Sequence, residues 1–439
     1  MLTHPPDVRP NRGASSTAAD ARRVALASAI GTTIEWYDFF IYGTAAATVF
    51  GPQFFPQVSE LAGTLAAFAT FGIGFIARPL GGVVMGHYGD RVGRKFMLVW
   101  SLLLMGGATF AIGVLPTYAR IGGWAPALLV MLRFVQGFAL GGEWGGAILM
   151  SVEHAPNGRR GFFGSIVALG LPAGIILSNL VFLVASTSVA SAEFAAWAWR
   201  IPFLASAVLV AVGLWVRLGV AESPVFASAL ATHGARRMPI VDVLRSSAGS
   251  VLLAAGSYLA ISSLGYVVLV YFVTYATRQL GLSLPLTLAI VVVASIVCAP
   301  VIVAAARWSD RLGRQRMTRW GLGALVVWSA VFFPLLDTKK PALVLLAVAG
   351  MLVIQGFYLG PQPAVFAELF PTAVRFSGAS LALTLGTIVG GAIAPIVATY
   401  LFSVTGTSTL VTVYMTAVSI LSFLCSLGLP ETYRDSLTA

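Results

Sequence analysis

Long apolar stretches recur along the chain, separated by polar breaks rich in glycine, proline and charge. Twelve of them reach the roughly 20 residues a helix needs to cross a bilayer core. They are 24–50, 61–87, 96–115, 125–152, 160–185, 199–220, 247–276, 286–307, 317–336, 341–369, 376–402 and 407–429, numbered here as spans 1 to 12. They are too long for the strands of a membrane barrel and do not alternate apolar with polar positions. The pattern predicts an all-α integral membrane protein with twelve transmembrane helices. Residues 1–23 are polar and Pro-rich and are expected to form a disordered tail. The apolar segment behind them is too long for a signal peptide and carries acids, so it is expected to be retained.

Composition agrees. Hydrophobic residues make up 58% of the 439 and charged residues 10%, against roughly 25% charged in a soluble domain. The formal net charge of +11 invites a nucleic-acid partner, but the positions of the charges argue otherwise. Twelve spans put both termini on one side, and 20 of the 27 Lys and Arg residues lie on that side against 5 on the other. That bias places both termini in the cytoplasm and makes the basic residues orientation signals facing anionic lipid. Nucleic acid is not expected as a partner. Cys298 and Cys425 lie in apolar runs and read as core residues, and His4, His87, His154 and His233 have no metal-ligand spacing. No cofactor or metal is expected. The absence of a nucleophile–base pair and of a GxxxxGK loop argues against an enzyme or an ATP-driven pump, leaving ion gradients as the energy source.

The chain repeats itself. Gly86-His-Tyr-Gly-Asp90-Arg91-Val-Gly93-Arg94 follows span 2, and Ala306-Arg-Trp-Ser-Asp310-Arg311-Leu-Gly313-Arg314 follows span 8, offset by 220 residues. Glu153-His-Ala-Pro156 running to Arg160 after span 4 is echoed by Glu368-Leu-Phe-Pro371 running to Arg375 after span 10, offset by 215. A weaker pair sets Glu222-Ser-Pro beside Pro-Glu431-Thr. Two pseudo-symmetric six-helix halves are therefore expected, 24–220 and 247–429, joined by a cytoplasmic linker at 221–246 and ending in a tail at 430–439. Transporters built this way bind substrate near the midplane between halves that rock. Orientation charge and tight turns explain the arginines and glycines of these loops, but not an acid at the same place in both copies. The expected role of Asp90, Arg91, Arg94, Glu153, Arg160, Asp310, Arg311, Arg314, Glu368 and Arg375 is a set of charge-linked latches that gate the cytoplasmic side.

These loops resemble the signature loops of the major facilitator superfamily. Gly31-Thr-Thr-Ile-Glu35-Trp-Tyr-Asp38-Phe-Phe in span 1, Ala77-Arg78-Pro79 in span 2 and Arg133-Phe-Val-Gln136-Gly137 running to Gly142-Glu143-Trp144 in span 4 are similar to its metabolite:H+ symporter branch, as is Trp199-Arg200-Ile-Pro-Phe before span 6. Phe54-Phe-Pro-Gln-Val58, Thr64-Leu-Ala-Ala-Phe-Ala-Thr-Phe-Gly72 and Ser151-Val-Glu-His-Ala-Pro156 look most like its shikimate-type and other organic-acid carriers. The branch also holds a proline/betaine osmosensor with a long C-terminal coiled coil; this sequence stops about ten residues after span 12, so that role is not expected. Ala306 departs from the first loop's Gly86.

Ionisable groups within a membrane are expensive and call for partners. Glu35, Asp38 and Tyr42 are spaced i, i+3, i+7 and share a helix face. Asp38 lies near mid-span, and Arg133 in span 4 is long enough to reach it. A partnerless Asp in an apolar medium is driven to its neutral form, and a nearby Arg draws it back to carboxylate. A movable Arg would therefore switch the Asp, as proton symport requires; a permanent structural ion pair is the plainer alternative. The resemblance implies the coupling role for Asp38 and Arg133, with Glu35 a second candidate and Glu143 more plausible as a packing or latch acid. Arg78 could fork onto a substrate carboxylate, line a gate, or snorkel. Tyr42, Tyr266, Ser262, Gln355, Tyr358 and Gln362 could meet substrate hydroxyls or simply tie helices together. The expected function is proton-coupled import of a small organic acid or related polar metabolite by a monomer in the bacterial inner membrane. A uniporter of the same fold and a betaine/proline-type symporter are the alternatives.

Overall fold

The structure is a computed structural model that describes residues 18–92, 94–141, 158–218, 247–371 and 374–434, with positions 151, 152, 155, 243 and 245. Side chains 18–24, 86–95, 98, 217 and 376 lie outside that description. The tails, most of the linker, Glu143 and Glu153, and the side chains of Asp90, Arg91 and Arg94 therefore fall outside it.

The described residues form helices and no strand. Span 1 runs from Ala18 to Phe54, span 2 over Glu60–Val92, span 3 over Arg94–Val114 and the described part of span 4 over Trp124–Leu140. Span 5 is Arg160–Ala168 plus Gly170–Thr187, and span 6 is Ile201–Leu218. In the second half, span 7 runs from Ala248 to Arg278, and spans 8 and 9 are Leu284–Leu312 and Arg314–Leu336. Span 10 is Pro341–Leu359 plus Gln362–Glu368, span 11 runs from Arg375 to Thr405, and span 12 is Thr409–Leu427. Span 1 starts six residues before the predicted Val24, because Ala18-Ala-Asp-Ala-Arg-Arg23 is a run of good helix formers that continues the helix past the apolar core. Span 10 breaks at Gly360-Pro361, where proline's missing N–H ends the ladder.

Three helices carry a π turn: Ala46–Phe50 in span 1, Val267–Tyr271 in span 7 and Ile388–Ala392 in span 11. Such turns insert one residue and loosen the backbone ladder, and they cluster at functional sites. All three face the seam between the halves, which is built from span 5 along span 8 and span 2 along span 11. Span 7 is buried almost throughout. Spans 3, 6, 9 and 12 expose large apolar side chains such as Trp100, Trp215, Val327 and Leu424, which lipid covers in a chain of this hydropathy.

Spans 2 and 4 touch backbone to backbone. A Cβ at Gly137 would sit 2.0 Å from the Gly74 carbonyl oxygen, and one at Gly81 would sit 1.8 Å from that of Phe138. Small residues at such a seam let helices close in where no hydrophobic force separates helix from lipid. This contact fixes the depth of Arg78 on span 2 and of Arg133 on span 4.

Candidate functional site

Asp38 and Arg133 are both buried, at 2% and 1% exposure. They are not an ion pair. Arg133 Nη1 donates to Gln136 Oε1 at 3.1 Å, Gln136 Nε2 donates to Thr109 Oγ1 at 2.7 Å, and Thr109 Oγ1 donates to Asp38 Oδ2 at 3.0 Å. The direct reach from Arg133 to Asp38 expected from the spacing is thus replaced by a hydrogen-bonded chain through spans 4 and 3. The reason is local. The Arg133 guanidinium stacks over Tyr42 at 4.3 Å, Phe39 at 4.5 Å and Phe71 at 5.0 Å, and this aromatic cage holds the charge on the span 2 side. Gly74 makes room for it: a Cβ there would stand 2.6 Å from Arg133 Nε. Tyr42 itself donates to Thr70 Oγ1 at 2.7 Å. Asp38 Oδ1 and Arg133 Nε and Nη2 have no hydrogen-bond partner in the protein.

Between the halves lies a cavity of about 60 Å³, lined by Glu35, Trp36, Arg78, Tyr258, Ser380 and Thr387 among others. Arg78 lies 5.0 Å from the ring centres of both Phe39 and Phe75, and its Nε has no protein partner. The cavity is much smaller than the several hundred Å³ of an ordinary ligand site. Tyr266 from span 7 enters a cluster of Phe39, Phe40, Phe71 and Phe75, with ring centres 5.2–6.2 Å away. Farther from the termini, Thr274 donates to the Ala47 carbonyl in the span 1 π turn at 3.0 Å. Beyond it, Arg278 reaches Thr64 and Glu60 of span 2, each at 3.0 Å.

On the terminus-facing side the closure is buried and charged. Arg314 pairs with Asp310 at 2.7 Å and with Glu368 at 3.2 Å, and Arg160 from the first half lies 3.6 Å from Glu368. The Asp310 carboxylate also accepts from the backbone N–H groups of Gly161 and Phe162, at 2.9 and 3.1 Å. Asp310 therefore caps the start of span 5 from the opposite half, where the helix dipole favours an anion. Glu431 does the same for span 9, accepting from the Arg314 and Gln315 N–H groups at 2.6 and 3.0 Å. Gly313 between them has φ +110°, and a Cβ there would meet Glu431 Oε2 at 2.6 Å.

Residues 28–395 match the sequence model of the Major Facilitator Superfamily. The chain belongs to that superfamily. It is 39% identical to the shikimate transporter of Escherichia coli (strain K12), over 97% of this chain and 98% of the relative. It is 41% identical to the inner membrane metabolite transport protein YhjE of the same strain, over 94% and 95%. A putative proline/betaine transporter of Staphylococcus aureus (strain COL) is 30% identical over 93% and 88%. Among solved structures, that of a D-xylose-proton symporter superposes with a TM-score of 0.74, covering 94% of this chain and 99% of that one at 18% identity, which shows a shared fold. This major facilitator protein is a membrane transporter and not an enzyme.

Within this transporter the sequence-predicted residues separate into groups. Glu35 and Arg78 face the cavity, whereas Asp38 and Arg133 lie beside it within the first half. Glu35, Asp38 and Tyr42 do not act as one surface: Asp38 turns to span 3 and Tyr42 to span 2. Gln355 and Gln362 are buried, each with an Nε2 lacking a protein partner, as are the Ser262 and Tyr266 hydroxyls. Tyr358 is taken up by Ser257, 3.1 Å away. Of the latch residues, Asp310, Arg314, Glu368 and Arg160 converge; Arg375 sits buried at the start of span 11, its Nε donating to the Phe370 carbonyl at 3.3 Å. Arg311 is exposed, turned away from the cluster it adjoins in sequence. Sequence reasoning missed Thr109, Tyr258 and the span 11 hydroxyls. The only available signal was that Ser380, Thr384 and Thr387 recur at helical spacing in an otherwise apolar span.

Proposed function

We propose that the protein is a proton-coupled symporter that imports a small organic acid across the bacterial inner membrane by alternating access, with both termini in the cytoplasm. One observation carries the reading: a buried carboxylate and a buried guanidinium, Asp38 and Arg133, share one hydrogen-bonded chain beside an inter-half cavity. Uncompensated charges in such a place cost several kcal/mol, and a carrier that exchanges protons with each cycle gives them a use. Asp38 is the proton carrier, with Glu35 facing the cargo. Arg78 in the cavity wall favours a carboxylate over a quaternary ammonium, which supports the organic-acid reading over the betaine one. Arg133 sets the charge state of Asp38 through its chain. Tyr42, Tyr266, Gln355, Tyr358 and Gln362 form the polar and aromatic walls that cargo meets once the halves part.

The charged residues at the span ends act as gates. Arg160, Asp310, Arg314, Glu368 and Arg375 hold the cytoplasmic side closed, and Asp90, Arg91, Arg94 and Glu153 are their counterparts in the first half. Relatives named as shikimate and metabolite transporters support the substrate class, and the basic-residue bias supports the orientation. The unit of transport is one chain of two halves, 24–220 and 247–429.

The test is uptake of labelled shikimate, quinate and short hydroxy acids into proteoliposomes under an imposed pH difference. Asp38→Asn should abolish accumulation against a gradient while preserving counterflow of preloaded substrate. Wild-type accumulation by that variant would overturn the assignment, and flux indifferent to pH would make the protein a uniporter.

A further inference from the structure

Thr109 stands where span 3 meets the Asp38 carboxylate. Its hydroxyl oxygen lies 3.0 Å from Asp38 Oδ2 and 2.9 Å from its own helix's Met105 carbonyl, and it is 2.7 Å from Gln136 Nε2. A hydroxyl has one proton to give and two lone pairs to offer, so the two acceptors compete. Many threonines bond back to the carbonyl four residues earlier, and Thr33, Thr48 and Thr64 do so here. Thr109 differs because a buried carboxylate contends for the same proton.

The polarity of the chain is fixed from its far end. Arg133 can only donate, so it draws Gln136 Oε1 toward itself and turns Nε2 toward Thr109. Thr109 must accept from Gln136, which leaves one lone pair and one proton for the other side. With Asp38 ionised, that proton points to Oδ2 in a charge-assisted bond. With Asp38 protonated on Oδ2, the carboxyl donates to the free lone pair of Thr109, whose own proton swings to the Met105 carbonyl. The Thr109 hydroxyl keeps an acceptor for its proton and Asp38 Oδ2 keeps its bond to Thr109 in both states, with the same heavy-atom positions serving each. Asp38 gains one proton from solvent, its negative charge is neutralised, and Thr109 keeps its own proton throughout.

We propose that Thr109 is a two-position hydroxyl switch that accommodates Asp38 in either protonation state, with Gln136 tying that switch to Arg133. It is a positioning residue, and the inference rests on the reading of Asp38 as proton carrier. The charged groups bearing on Asp38 are Glu35 on its own helix and Arg133 in span 4.

The test needs no substrate. Infrared difference spectra of the purified protein between acid and neutral pH report the protonated carboxyl band, and Asp38 is identified by what disappears in Asp38→Asn. Thr109→Val, which keeps the shape and removes the hydroxyl, should shift that band to higher wavenumber. Thr109→Ser should restore it. In proteoliposomes the Val variant should lose about tenfold in proton-driven accumulation of labelled shikimate, worth about 1.4 kcal/mol, while Thr109→Ser retains it. If no band is lost in Asp38→Asn, the proton-carrier reading fails and the switch with it. If the band is present but Val and wild type coincide, the switch alone is overturned. Thr109→Ala replaces the Val variant if the latter does not fold, with the same shift expected.

Discussion

The seam between spans 2 and 4 makes a demand that can be measured. Placing a methyl group at Gly137 would bring it to 2.0 Å from the Gly74 oxygen and 2.7 Å from the Gly74 carbonyl carbon. Real Cβ atoms essentially never come closer than 3.0 Å, so Gly137→Ala must drive the helices apart by about 1 Å at that level. The atoms in the way are backbone, so no rotamer change relieves the clash, and the same close seam continues at Gly141, where an added Cβ would stand 2.1 Å from the Arg78 carbonyl oxygen. Overpacking of this kind costs about 1–3 kcal/mol. At a few degrees per kcal/mol, less for a chain longer than 250 residues, the melting temperature in detergent should fall by about 2–5 °C. Gly74→Ala supplies the control. Its Cβ meets the flexible Arg133 guanidinium, at 2.6 Å from Nε, so that side chain can yield. This variant should lose less stability than Gly137→Ala, because the backbone seam stays intact, yet lose most of its uptake, because Arg133 leaves Gln136. The assay is intrinsic tryptophan fluorescence on heating, paired with proteoliposome uptake. A Gly137→Ala protein as stable as wild type would refute the close seam, and a fully active Gly74→Ala would refute the placement of Arg133.

The two inter-half closures should respond differently to breakage. Glu368 is buried and accepts from Arg314 and Thr432, so Glu368→Gln removes one of the two carboxylates paired with the buried Arg314 guanidinium and leaves Asp310 in place, a loss of about 1.5–3 kcal/mol. A cysteine introduced at Ser380 should then be alkylated at least tenfold faster from the terminus-facing side, and an unchanged rate would mean that the latch does not hold that side shut. The Arg278–Glu60 pair is largely exposed, and such pairs are worth about 0–1 kcal/mol. Arg278→Ala should raise reactivity from the far side no more than fivefold, an effect that vanishes in high salt; a larger, salt-insensitive effect would place more of that closure in Arg278 than its exposure allows.

The spans could be read from the chain because lipid imposes one rule on every backbone group, and the repeated DRxGR and ExxPxxxR loops pointed to Asp310, Arg314 and Glu368 before their contacts were known. What stayed hidden depends on how helices rotate against one another. Gln136 sits one turn from Arg133 and so was within sight, but nothing in span 3 marks Thr109 as the residue turned toward Asp38. The π turns of spans 1, 7 and 11 have no residue signature, since they arise when packing forces an extra residue into a regular helix. Glu431 was noticed only as half of a faint echo; its role needed the fold of the chain past span 12 back to the start of span 9.

The bond from Asp310 to the first amides of span 5 would tie a secondary-structure end to the proposed alternation of the two lobes. If the lobes separate on that side as proposed, two N–H groups and one carboxylate would lose each other together, and a helix terminus stripped of its acceptor would be destabilised by about 1 kcal/mol until solvent replaces it. Hydration of the span 5 terminus would then lower the cost of opening. The rate at which that face unlocks should accordingly follow water activity at the membrane edge.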